Sequence, residues 1–268
     1  MKLHRLFTVL AGVSALVLPL SAQVFVGADD FNSGATAQWD YVYRLGGATQ
    51  GDLAFSNNQL DFSKAATGAG NQYRLWDSDG TASPSVTSVS FTNSWVMTMT
   101  TTNTLGGLAG GEFATIGIQV FNDNNSYSAL MLSATNTGNF VRAEGIGFTA
   151  VNASTADNTD VSLRLTWDAG AQILAAAYSL DGSSFTSVAT FLPVTQWDNS
   201  TNGVANGFNF GVFGNSNTTA AISVGNVYAD NFSVSAIPEP STYAAFAGLG
   251  AIGLAFWRRR QARALAKA

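Results

Sequence analysis

"VSLRLTWD", Val161 to Asp168, decides the fold class. Val161, Leu163, Leu165 and Trp167 alternate with Ser162, Arg164, Thr166 and Asp168. A two-residue apolar period sorts the two sets onto opposite sides of an extended strand, whereas a helix would spread both around its circumference. Working outward, "DAG" at Asp168 to Gly170 and "DGSS" at Asp181 to Ser184 are turn formers that follow strand-length runs. Val161–Trp167, Gln172–Leu180 and Phe185–Phe191 therefore read as an antiparallel meander. "WVMTMTTT", from Trp95, repeats the pattern, with Trp95, Met97 and Met99 on one face and Thr98 and Thr100 on the other. "FATIGIQVF" from Phe113, "YSALMLSA" from Tyr127, "GFNFGVF" from Gly207 and "YADNFSVS" from Tyr228 are further strands, more continuously apolar where both faces are covered. No segment between the two ends sustains a 3.6-residue apolar period. Residues 23–236 are expected to form one all-β domain, an antiparallel β-sandwich of about a dozen strands.

The two ends follow other rules. "MKLHRLFTVLAGVSALVLPLSAQ" places Lys2 and Arg5 ahead of an apolar stretch from Leu6 to Leu18, then Pro19 and the small pair Ser21-Ala22. This is the pattern of a secretory signal peptide, residues 1–22, with an apolar core shorter than a spanning helix needs. At the other end, "IPEPSTYAAFAGLGAIGLAFWRRRQARA" joins Pro238-Glu239-Pro240 to an uncharged run from Tyr243 to Trp257 and a basic tail over 258–268. The 15 residues of that run would reach only ~22 Å as a helix, a marginal transmembrane span. Arg258, Arg259 and Arg260 form a stop-transfer cluster that holds the tail on the cytoplasmic side of the inner membrane. The two prolines forbid helix and keep the backbone extended, a form suited to a processing enzyme.

Charge and chemistry exclude several classes. The 268-residue chain has no cysteine, and its one histidine, His4, lies in the signal segment. Neither thiol nor imidazole chemistry is therefore open to the exported body, and His-ligated zinc is excluded with it. Residues 24–236 carry five basic side chains against sixteen acidic ones, a balance of −11, which rules out nucleic acid as a partner. No cofactor is called for. A glycosidase needs only two carboxylates, and the body holds just two glutamates, Glu112 and Glu144, each expected at a strand end facing water. Among the tryptophans, Trp95 and Trp167 fall in phase with core positions. Trp39, Trp76 and Trp197 are each followed by Asp in loop-like sequence, and Trp76 and Trp197 are the candidates for a glycan contact.

Two resemblances add to this reading. The order of "FVGADDFNSGATAQWDYV", "FATIGIQVFNDNNSYSALML", "AAAYSLDGSSFTSVATF" and "VGNVYADNFSVS" resembles the concanavalin A-like jelly-roll family of lectin and glucanase domains. That resemblance implies adjacent first and last strands and a structural calcium between them, with Asp29, Asp30 and Asp230 as ligands. The laminarinase-type signature Glu-x-Asp-x-x-Glu is missing. The C-terminal cassette, residues 237–264, resembles the PEP-CTERM sorting signal. This implies recognition at Pro238, Glu239 and Pro240 by a membrane-embedded exosortase, a transient inner-membrane anchor over 243–257, and delivery to the envelope or extracellular matrix of a Gram-negative-type bacterium. Three functions remain open: a non-enzymatic structural or adhesive surface protein, a lectin-like binder of exopolysaccharide, and a glycoside hydrolase.

Overall fold

The computed structural model describes residues 27–34, 39, 41–43, 50–76, 89–123, 126–155, 159–197, 208–237 and 248–259. The signal segment 1–22 and the motif residues Pro238, Glu239 and Pro240, with Arg260, lie outside these residues. The strands run β1 (Gly27–Asp29), β2 (Tyr41–Tyr43), β3 (Asp52–Ser56), β4 (Gln59–Ser63), β5 (Gly70–Trp76), β6 (Trp95–Asn103), β7 (Phe113–Asp123) and β8 (Ser126–Thr135). They continue with β9 (Gly138–Gly145), β10 (Phe148–Ser154), β11 (Asp160–Asp168), β12 (Ile173–Ser179), β13 (Thr186–Phe191), β14 (Asn209–Ser216) and β15 (Val227–Ala236). A single turn of helix, α1 (Pro193–Gln196), starts on a proline at its N-terminal position, where the missing N–H costs nothing.

Among the described residues the named strands pair antiparallel throughout, and they divide into two sheets. One has eight strands in the order β13-β12-β11-β6-β15-β4-β3, with β1 added on β15; the other has seven in the order β10-β9-β8-β7-β14-β5-β2. The expected meander is β11, β12 and β13, and its inner column, Val161, Leu163, Leu165 and Trp167, is fully buried. The "DGSS" turn closes as expected. Asp181 Oδ1 accepts hydrogen bonds from Ser179 Oγ (2.7 Å), Ser183 N (2.8 Å) and Ser184 N (2.7 Å), which hold its carboxyl far below the usual carboxylate range. β8 is buried on both faces, as its continuous apolar sequence requires.

One core lies between the sheets, filled by in-phase side chains of both. Its centre is aromatic: Trp95, Trp167 and Trp197 stand edge-on around Phe208 with ring centroids 4.9 to 5.5 Å apart. A second aromatic group, Trp39, Trp76 and Phe232, packs at 4.9 to 5.2 Å, and the Trp39 indole donates to Asp29 Oδ2 at 2.8 Å. Such rings contribute roughly 0.5–1.5 kcal/mol per pair beyond the area they bury. The candidate glycan residues fall inside this core. Trp76 and Trp197 are 4% and 3% exposed, so neither ring has a face for a sugar. Their loop-like sequence misleads because Trp76 ends a strand and Trp197 follows α1 directly, both turned inward to fill volume between the sheets.

Candidate functional site

The seven-stranded sheet shows its other face away from the core, and the strand period decides what stands there. On β7, Ala114, Ile116, Ile118 and Val120 enter the core, so Phe113, Thr115, Gly117 and Gln119 point outward. Register extends these positions sideways. Thr115 pairs with Ser133 of β8 and Asn215 of β14, and Ser133 pairs with Phe140 of β9, giving a row Asn215–Thr115–Ser133–Phe140 across four strands. The next row, two residues along, runs Tyr73–Phe213–Gly117–Met131–Arg142. Gly117 is required there, because a Cβ would lie 2.4 Å from the Leu130 carbonyl oxygen and 2.6 Å from Met131 Cβ.

A cleft of about 380 Å³ opens on these rows. Its floor is polar, with Thr115 and Ser133 hydrogen-bonded to each other and almost wholly buried. Met131 joins the floor to a small apolar cluster of Tyr73, Ala129 and Phe213, where Tyr73 and Phe213 stack at 5.5 Å and 17°. Half-buried Phe113 and Phe140 stand along the cleft two strands and two residues apart, about 12 Å between backbone positions. Asn215, Arg142 and the turn residues Asn136 and Thr137 supply further hydrogen-bonding groups. Arg142 Nε donates to Glu144 at 2.7 Å, an ion pair about one-third exposed.

Both glutamates of the body line this cleft, and each is committed elsewhere. Glu112 staples two loops by accepting from Thr219 N (2.8 Å), Thr218 Oγ1 (2.9 Å), Thr219 Oγ1 (2.9 Å) and Ala109 N (3.2 Å). These donors, the Thr219 amide first, lower its pKa to about 2. Register sets Glu144 level with Gln119 of β7, seven residues from Glu112, so the two backbone positions stand on the order of 20 Å apart. A glycosidase pair needs carboxyls roughly 5 to 9.5 Å apart and an acid that keeps its proton near neutral pH. Glu112 and Glu144 do not have that separation, and Glu112 is held ionised by its donors.

The calcium candidates are brought only partly together. β1 pairs with β15, so the first and last strands are indeed neighbours, and burial together with the charge of Asp30 raises the pKa of Asp230. Asp29 departs from this pair: buried, it accepts from Phe31 N (2.7 Å) through one oxygen and from Trp39 through the other. Among the described residues there is no group of three or more His, Cys, Asp or Glu side chains that could hold a metal ion. Calcium takes six to eight oxygens, so carbonyl, amide or water oxygens would have to complete a site on Asp30 and Asp230.

At the C-terminus, residues 248–259 form a helix exposed around its whole circumference, including Leu249, Ile252, Leu254, Phe256 and Trp257. Its polar end carries Arg258 and Arg259. An apolar helix exposed along its described length suits lipid, yet its 12 residues reach only about 18 Å. Among the described residues no helix is long and apolar enough to cross a membrane, and 243–247 of the expected span lie outside them. The family model for the PEP-CTERM protein-sorting motif matches residues 236–260. The chain carries a PEP-CTERM sorting motif. This marks it as exported and sorted from the membrane.

No curated protein matches the chain. Among solved structures, winged bean acidic lectin is similar with a TM-score of 0.52 at 11% identity, over 80% of this chain and 100% of the lectin. The GH43B protein of the Bacteroides ovatus xyloglucan PUL is similar with a TM-score of 0.52 at 11% identity, over 78% of this chain; the chain spans 39% of that protein's length. At these identities the likeness establishes a lectin-like jelly-roll sandwich and nothing finer.

The outward residues Phe113, Phe140, Asn215, Thr115 and Ser133 were not among the sequence candidates. One signal could have found them. In "GEFATIG" the aromatic Phe113 falls out of phase with Ala114, Ile116 and Ile118, so a large ring is spent on the face away from the core.

Proposed function

We propose that this chain is a non-enzymatic surface or matrix protein that binds glycan in the cleft on the outer face of its seven-stranded sheet. The carrying observation is the placement of half-buried Phe113 and Phe140 beside the polar row Asn215–Thr115–Ser133. Apolar rings stack on the C–H faces of pyranoses while amide and hydroxyl groups bond their hydroxyls. The similarity to a lectin that was solved with methyl-alpha-D-galactose supports the reading. The separation of Glu112 from Glu144 supports binding without turnover. Full-length chain in detergent should be retained on immobilised polysaccharide, and Phe140→Ala should release it; equal retention of the variant by every polysaccharide that holds the parent would refute this site.

The sorting motif supplies the route. An exosortase is the partner expected to cut near Pro238-Glu239-Pro240, after the inner membrane has held 243–257 transiently, so that the body reaches the envelope or exopolysaccharide matrix. Mass spectrometry of the mature protein should find a terminus close to Pro238; a membrane-retained form that still carries Arg263 would show that the tail is only an anchor. The proposed calcium now rests on Asp30 and Asp230. Added calcium should raise Tm in the parent and not in Asp230→Asn, and a Tm indifferent to calcium and EDTA removes the ion.

A further inference from the structure

Resting on the glycan reading above, we infer that the cleft selects uncharged polysaccharide and rejects acidic polymers. Its lining has three charged side chains, Glu112, Arg142 and Glu144. Arg142 is the single cation, and its Nε already donates to Glu144 at 2.7 Å. Glu112 is ionised at every pH above about 2, because Thr218 and Thr219 surround it with donors. The lining therefore carries a net charge of −1, set in a body whose balance over residues 24–236 is −11. A uronate or sulfated chain would meet that potential on approach, and at the guanidinium it would compete with Glu144, which already holds Nε.

The remaining lining has the opposite character. Above the buried Thr115–Ser133 pair, Asn136, Thr137 and Asn215 are at least partly exposed neutral groups that both donate and accept, which is what sugar hydroxyls require. Phe113 and Phe140 offer apolar edges that an ionised polymer cannot use without losing hydration. Rejection thus comes from Glu112, a carboxylate that no cation of the lining pairs and that the charge of Lys64, outside the lining, offsets only in part, and attraction comes from groups indifferent to salt.

The test uses full-length chain in detergent on affinity gels cast with neutral polymers (xylan, galactomannan, mixed-linkage glucan) or acidic ones (alginate, polygalacturonate), at low and high salt. Retention by at least one neutral polymer, changed less than about twofold by salt, and retention by the acidic ones at least about tenfold weaker at low salt is the expected result. Replacing Glu144→Gln frees the guanidinium and should raise retention on alginate about fivefold at low salt, the scale of one exposed ion pair. Stronger retention of the parent by an acidic polymer overturns the charge selection and leaves the glycan reading standing. Retention by no polymer at all overturns both.

Discussion

The two faces of the seven-stranded sheet are made by the same strands and differ in what they ask of a side chain. The inner face spends Ile116, Ile118, Leu130, Leu132, Val141, Phe210 and Val212 on a single shared core. The outer face alternates with it position by position and presents Phe113, Thr115, Ser133, Phe140, Arg142 and Asn215. Inner residues are fixed by volume, since any loss leaves a void that the close-packed neighbours cannot fill. On the outer face the partly exposed Phe113, Phe140, Arg142 and Asn215 stand above a packed floor of Thr115, Met131 and Ser133 and are under less of that demand, so their chemistry can follow a ligand. Such a division needs no extra architecture; it follows from a strand period of two when one face is buried.

The strongest way to break the contrast is to cut into the inner face. Phe210, 1% exposed and edge-on to Trp95 at 4.9 Å, should cost about 3–5 kcal/mol on Phe210→Ala, read from urea unfolding. A cost below about 1 kcal/mol would mean that the core does not depend on that ring. The next effect lies on the outer face and limits how free that face is. Gly117→Ala drives a Cβ into the backbone of β8, 2.4 Å from the Leu130 oxygen, and should cost about 1–3 kcal/mol as β7 and β8 are forced apart.

Glu112 sharpens the contrast through pH. Its folded pKa, about 2, lies below the ordinary 4.5, so the folded state binds its proton less tightly than the unfolded chain does. The resulting stabilisation is complete above pH 4.5 and is lost as pH falls from there through about 2. Glu112→Gln should lower Tm at neutral pH and flatten the acid limb between those values. Parallel Tm–pH curves for parent and variant would show that the staple between the 109–112 and 218–219 loops contributes nothing.

Much of the fold was legible because alternation carries it. "VSLRLTWD" and "WVMTMTTT" fell on β11 and β6 with the expected faces inward, and the "DGSS" turn closed the expected hairpin. The short strands β2, β3 and β4 were illegible, since three to five residues hold too little of any period, and the described residues hold fifteen strands rather than about a dozen. The site was read from the wrong residues. Trp76 and Trp197 have the chemistry for sugar, but large apolar rings go first to the core unless the strand phase turns them outward, and here it does not. Asp29 misled in the same way: an Asx-rich stretch offers oxygens for a metal, and the fold uses them for the Phe31 amide and the Trp39 indole.

The smallest effect on stability should carry the largest effect on function. Phe140 is half-buried on the outer face of β9, opposite Ser133, and belongs to no core cluster. Phe140→Ala removes ring area already shared with solvent, so the cost should be about 1 kcal/mol or less, several-fold below Phe210→Ala. Retention on a neutral polysaccharide gel should nevertheless fall to the level of a non-binding control, because stacking on the ring has no substitute within the polar row. Phe140→Tyr keeps the ring and should keep binding. A Phe140→Ala protein that unfolds as easily as Phe210→Ala would show that the ring is part of the packing, and the division between the two faces would fail at that residue.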